Sequence, residues 1–365
     1  MELTVKQENL AKALNIVGKV ASSRTSLPIL NNILLQTNGS RLLVAATNLE
    51  IAVSQNIGAK IVSPGDITVP ARLVSEFISS LPKGNVILKV ENDHLKIESG
   101  NYTSTINGVA ADDFPELPTV DPKNSIQYVI NASEFKEAVS QTIITASNDT
   151  TRPVLTGVYW HSLEGALYLA ATDGYRLSER RLIETDSEVT AIVPASSLQE
   201  VLRSLNENIE EIEILFDEVQ VKFRAGDTEI VSRLIDGKFI DYRQLIPKNT
   251  ETVVNLDKSE FVRVVKISSL FARESGGSIT LKANDETSKL SIHSIASELG
   301  ENTSEADSEI TGSGEVTLNS RYLLEALNAI DGNKTTFGFS GKLAPTVIKS
   351  AENDNYVHII MPLKS

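Results

Sequence analysis

Pro28-Ile29-Leu30, Leu42 and Ala45-Ala46-Thr47 return 125 residues later as Pro153-Val154-Leu155, Leu167 and Ala170-Ala171-Thr172. A second block, Val69-Pro70-Ala71 with Glu76 and Leu81, returns as Val193-Pro194-Ala195 with Glu200 and Leu205. It occurs once more, in weaker form, as Leu318-Asn319-Ser320 with Glu325 and Ile330. A period of this length in a chain of 365 residues reads as three copies of one domain. The expected domains are 1–122, 123–248 and 249–365, with proline and polar residues gathered near 118–124 and 247–252.

Within each copy, apolar residues at helical spacing predict two helices: 7–20 and 71–84, then 133–147 and 195–207, then 258–274 and 319–334. Asn131 with Glu134, Asp257 with Glu260, and Ser196 with Gln199 have the spacing of a capping box. Alternating, β-rich runs such as 42–46, 86–90 and 95–98 lie between the helices, with turn residues at Asn38-Gly39 and Asn92-Asp93. The pattern is that of an α+β protein with two helices per copy packed on antiparallel sheets. The acidic, Ser- and Thr-rich stretch 295–315 shows no periodicity and reads as exposed loop.

Composition narrows the function. The absence of cysteine excludes disulfides, thiol catalysis and Cys-based zinc sites. No apolar run is long enough to span a bilayer, and the N-terminus alternates like a strand, so the expectation is a soluble cytoplasmic protein. The four histidines, His94, His161, His293 and His358, stand at no metal-ligand spacing, and no phosphate-binding glycine loop or nucleophile motif occurs. The densest polar cluster, Thr172-Asp173-Gly174-Tyr175-Arg176, has no base paired with a nucleophile and reads as a turn at Gly174. The chain is therefore expected not to be an enzyme and to need no cofactor or metal.

The net charge of −14 is unevenly spread. The six predicted helices together carry +2, so the acidity resides in the remainder. If the helices line a ring at about 9 Å spacing, six give an opening of only about 7 Å, while the twelve of a dimer give about 24 Å. Duplex DNA is on the order of 20 Å across, so two chains, and not one, have room to surround it.

Several marks in one order carry a family resemblance: Leu27-Pro28-Ile29-Leu30 after Arg24, the run 170–177, Asp236-Gly237-Lys238-Phe239 with Asp241-Tyr242, and Tyr356 to Met361-Pro362-Leu363. Over its full length the chain resembles the β subunit of bacterial DNA polymerase III, the sliding clamp of replication. The resemblance implies a ring-shaped head-to-tail homodimer of DNA-clamp domains that encircles double-stranded DNA without sequence preference. Such a ring confers processivity and has no chemistry of its own. Its implied partners are the polymerase α subunit, the clamp loader, and other polymerases and repair proteins, all bound through short peptides. The peptide pocket would be formed by Thr172, Gly174, Tyr175, Arg176, Leu177, Ile240, Leu245, Asn319, Tyr322, Thr346, Ile359, Ile360, Met361, Pro362 and Leu363. The resemblance also implies that Arg24 and Arg72 touch duplex phosphates and that Arg152 stands beside a loop reaching DNA; charge alone adds Lys12, Arg203, Arg263 and Lys266. Ile240, Gln244 and Pro345 depart from the pattern of other members and bear on peptide preference.

Overall fold

The computed structural model describes residues 1–21, 27–298 and 300–364. Among these are six α-helices: α1 (Gln7–Ala21), α2 (Ala71–Ser80), α3 (Ala132–Ile143), α4 (Ala195–Ser204), α5 (Lys258–Phe271) and α6 (Ser320–Ala329). Their starts follow the expected positions, but five of the six stop three or more residues early. The reason is local. Leu81 after α2 and Ile330 after α6 are extended, each returning its N–H to the last turn, so the apolar spacing that continues past them belongs to the next segment. Asp257 caps α5 by accepting from the Glu260 N–H at 3.0 Å. Ser196, expected as a cap, already lies within α4.

The residues form two compact units, Met1–Ser133 with Ser196–Leu234, and Glu134–Ala195 with Ile235–Ser365. The first is built on a twelve-stranded sheet. Strand Ile51–Ser63, from the first repeat, pairs antiparallel with Thr228–Arg233, from the second, so the sheet runs without a break across a repeat junction. On it α1 buries Leu10, Ala13, Leu14 and Val17, at about 1.5–3 kcal/mol for each large side chain. The turn at Asn92-Asp93 has both residues at positive φ, 51° and 59°, the two-residue hairpin form that matches strand twist.

The second unit repeats the plan. A nine-stranded sheet joins strand Arg176–Glu184 to the C-terminal strand Tyr356–Ile360, with Arg176 opposite Ile360 and Arg180 opposite Tyr356. Phe135 of α3 meets Trp160 of the sheet at 6.2 Å between ring centroids, and Phe261 of α5 meets Phe337 at 5.8 Å. A separate four-stranded sheet ends in strand Gly300–Asp307. This corrects the reading of 295–315 as loop. The strand is polar because it stands at the sheet edge, and its inward Asn302 meets a hydroxyl, Ser268 of α5, at 3.1 Å instead of an apolar side chain. Hydrophobic alternation is absent where the inward contact is a hydrogen bond.

Candidate functional site

The sequence-selected pocket residues all fall in the second unit, and the backbone explains how they meet. Thr172 ends strand Ala166–Thr172, and the chain turns back through Asp173, Gly174 and Tyr175 into the next strand. The Thr172 hydroxyl donates to the Arg176 carbonyl at 2.6 Å and accepts from the Gly174 N–H at 3.1 Å. Asp173 Oδ1 accepts from the N–H groups of Tyr175 (2.9 Å) and Arg176 (3.0 Å). Gly174 sits at φ 93°, which glycine adopts without a Cβ penalty. Beyond the sheet, the C-terminal tail continues the ladder: the Met361 N–H donates to the Tyr175 carbonyl at 2.8 Å, and the Leu363 N–H to the Thr317 carbonyl at 2.9 Å.

Arg176 is the centre of this arrangement. Its side chain is only 10% exposed. It contacts Asp173 Oδ2 at 3.1 Å, Glu325 of α6, and the Ile144 carbonyl at 2.6 Å, and lies 4.4 Å over the Tyr322 ring. Burial pulls its pKa down, but Glu325 and Asp173 more than offset this, and the net shift is upward. A charge this enclosed is tolerated because every direction offers an acceptor or a π face. Asn319 caps α6 by accepting from the N–H groups of Arg321 and Tyr322, which fixes where Tyr322 stands.

The pocket residues divide into two kinds. Leu177, Ile359, Ile360, Thr172 and Thr346 are buried and hold the frame; the Thr346 hydroxyl donates to the Ile360 carbonyl at 3.0 Å. Tyr175, Ile240, Leu245 and Met361 are exposed large apolar groups, with Tyr175 at 63%, and Pro362 and Leu363 are half-buried. Gly174 is exposed, and Asn319 and Tyr322 are half-buried.

Ile240 and Leu245 lie on the segment after Leu234, which sequence reasoning read only as a motif. Phe239 stacks on Tyr159 at 4.8 Å, and Tyr159 stacks on His161 at 4.8 Å. The His161 Nε2 and the Tyr242 hydroxyl meet at 2.7 Å. The Tyr242 hydroxyl donates to Glu179, which also accepts from Arg243 Nε at 2.8 Å, and Arg243 lies 4.4 Å over Tyr168. Burial, with Arg243 nearby, lowers the His161 pKa to about 4, and burial with Glu179 raises that of Tyr242. This ladder positions the Ile240 and Leu245 wall. Its sequence signals were Phe239 and Tyr242 in the quoted motif and the aromatic residues at alternate strand positions, Tyr159 and His161.

The proposed DNA-contacting residues are carried on several elements of both units. Arg24 lies outside the described residues. Arg72, Arg203 and Arg263 each pair with a glutamate on their own helix, Glu76, Glu200 and Glu260, and Arg152 pairs with Asp149 at 3.0 Å. Lys12 on α1 and Lys266 on α5 are exposed. Among the described residues no cluster of acids and histidines could hold a metal ion, and no helix is long and apolar enough to cross a membrane.

A three-repeat α+β chain whose helices pack on antiparallel sheets that run across the repeat junctions has the plan of a clamp-type protein, and comparison with known proteins gives the family. Models of the DNA polymerase III β subunit match its N-terminal domain at 1–118, its central domain at 129–241 and its C-terminal domain at 243–364. The chain is 33% identical to the β sliding clamp of Staphylococcus aureus and 30% identical to that of Bacillus subtilis, each covering 100% of both chains. The crystal structure of the Bacillus subtilis sliding clamp superposes with a TM-score of 0.95 at 29% identity, covering 100% of this chain and 99% of that one. A Pseudomonas aeruginosa clamp bound to griselimycin gives 0.94 at 27%, covering 100% of both. The chain belongs to the DNA polymerase III β-subunit family, the DNA sliding clamps.

Proposed function

We propose that two copies of this chain close head to tail into a ring around duplex DNA and tether the replicative polymerase to it, with no chemistry of their own. The observation that carries this reading is the match of all three family domains, in order and end to end. Two open sheet edges support the assembly. Among the described residues, strand Tyr102–Asn107 pairs only with His94–Ser99, and Gly300–Asp307 only with Lys289–Ala296. An edge left unpaired is a template for a second chain, and two different edges on one chain give a heterologous contact that can close into a ring.

On this reading the domains are 1–122, 123–248 and 249–365, and the inner contacts to phosphate come from Lys12, Arg24, Arg72, Arg152, Arg203, Arg263 and Lys266. Intrahelical glutamates weaken several of these charges, which suits a ring that must slide and not grip. Short apolar peptides from the polymerase α subunit, the clamp loader, and other polymerases and repair proteins dock on Tyr175, Ile240, Leu245 and Met361. Work on chromosomal DNA implies a cytoplasmic setting. The test is topological. Protein loaded on circular DNA should be retained and should leave when the circle is cut; retention after cutting would refute encirclement. Light scattering should give twice the chain mass of 39.7 kDa, and a persistent monomer would remove the ring.

A further inference from the structure

The docking surface has a counterpart in the first unit, 125 residues earlier in the chain. Thr47 there donates to the Ile51 carbonyl at 3.0 Å and accepts from the Leu49 N–H at 3.1 Å, as Thr172 does with Arg176 and Gly174. Asn48 Oδ1 accepts from the N–H groups of Glu50 (3.0 Å) and Ile51 (2.9 Å), the role of Asp173 in the second unit. The Arg233 N–H donates to the Glu50 carbonyl at 2.9 Å, as Met361 does to Tyr175. Even the left-handed residue is kept: Leu49 stands at φ 76° where Gly174 stands at 93°. Leucine in that region is strained, and such strain is retained only where the surroundings impose it.

This turn borders a cavity of about 300 Å³. Its lining mixes apolar Ile51, Ala52, Pro115, Pro118 and Val231 with polar Thr47 and Gln220, and the side chains of Leu49 and Val219 there are exposed. Pro115 stands 125 residues before Ile240, and Ala52 the same distance before Leu177, so the walls as well as the turn correspond. The charges differ. Glu50 replaces Tyr175, and together with exposed Glu116 it sets two carboxylates against the single guanidinium of Arg233.

We propose that this cavity is a second peptide-binding site, selective for an apolar side chain followed by basic residues. The proposal rests on the reading of 172–177 as a peptide dock. Apolar surface supplies the affinity, and the carboxylates favour basic over acidic flanks.

The test uses the full-length protein and a fluorescein-labelled hexapeptide, glycine-leucine-phenylalanine-arginine-lysine-glycine. Calorimetric and anisotropy titrations should show two sites per chain. Glu50→Lys with Glu116→Lys, both on exposed positions, should weaken one phase about tenfold and leave the melting temperature in place. Met361→Ala with Leu363→Ala should weaken only the other. Replacing the basic pair of the peptide by glutamates should weaken the first phase alone. A single phase per chain that ignores the Glu50 and Glu116 changes would overturn the second site. If instead only the phase sensitive to Glu50 and Glu116 appears, the second site stands and the reading of 172–177 fails.

Discussion

The turns at 47–51 and 172–176 share backbone hydrogen bonds almost atom for atom, yet they differ in what stands at their centre. In the second unit the last residue of the turn is Arg176, held by Asp173, Glu325, the Ile144 carbonyl and the Tyr322 ring. In the first it is Ile51, 8% exposed and packed as an ordinary apolar residue. One scaffold thus carries an ionic centre in one unit and an apolar centre in the other. The difference teaches that the turn geometry is a property of the repeat, while the chemistry presented by it is set by a few side chains.

The comparison breaks most sharply at those central residues. Arg176→Ala takes the guanidinium from Asp173 and leaves Glu325 only Arg321, at 3.9 Å, and should cost about 3–5 kcal/mol in a urea titration. Ile51→Ala removes only apolar contact and should cost about 2–4 kcal/mol. A loss below about 1 kcal/mol for Arg176→Ala would mean that the guanidinium network holds nothing together.

The second unit also contains titrating groups that the first does not match. His358 is fully buried beside the Tyr356 hydroxyl, at 2.8 Å, and burial with Arg176 nearby lowers its pKa to about 3. A depressed histidine pKa means that folding resists protonation, so stability is full above about pH 6.5 and falls as the pH drops toward 3. Between pH 7 and 4.5 the loss should be about 3 kcal/mol. Glu137 works in the opposite sense. Its hydrogen bond to Asp331 and its burial raise it to about 6, so its contribution is lost as the pH rises from about 4.5 through 6. Glu137→Gln should therefore steepen the measured decline toward acid. An unchanged midpoint from pH 7 to 4.5 would contradict the His358 account.

At the proposed docking surface, Met361→Ala with Leu363→Ala should weaken a polymerase peptide by about ten- to a hundredfold, since each would delete apolar area buried on binding. The dimer mass should not change, and unchanged affinity would remove these residues from the site. The smallest effect sharpens the backbone comparison. Leu49→Gly should stabilise by up to about 1 kcal/mol through relief of the left-handed strain, and Gly174→Ala should destabilise by about 1 kcal/mol. Equal and opposite signs would confirm that both turns use the same conformation.

Much of this architecture was legible from spacing. The period of 125, the helix starts and the hairpin at Asn92-Asp93 follow from short-range rules of periodicity and turn chemistry. The segment 172–177, proposed above as a peptide dock, stands out because it concentrates turn residues that local physics makes recognisable. Strand Gly300–Asp307 was missed because its inward Asn302 faces a hydroxyl and only Ala306, a single small residue, is an apolar inward position. Helix ends were overrun because apolar spacing does not register where a chain leaves the helix. Arg176 was chosen as one residue among fifteen, and nothing near it in sequence announces Glu325, 149 positions away.

The sequence by itself determined that there are three copies of one α+β unit, that their helices carry less negative charge than the rest, and to which family they belong. These are local or periodic properties, written within about ten residues or repeated at a fixed interval. Only the tertiary structure decided that the sheets run on across the repeat junctions, that an aromatic ladder from Phe239 to His161 holds the segment carrying Ile240 and Leu245, and that a cavity lies beside Leu49. Each of these depends on side chains brought together from distant positions, by packing and hydrogen bonds whose partners no short stretch of sequence specifies.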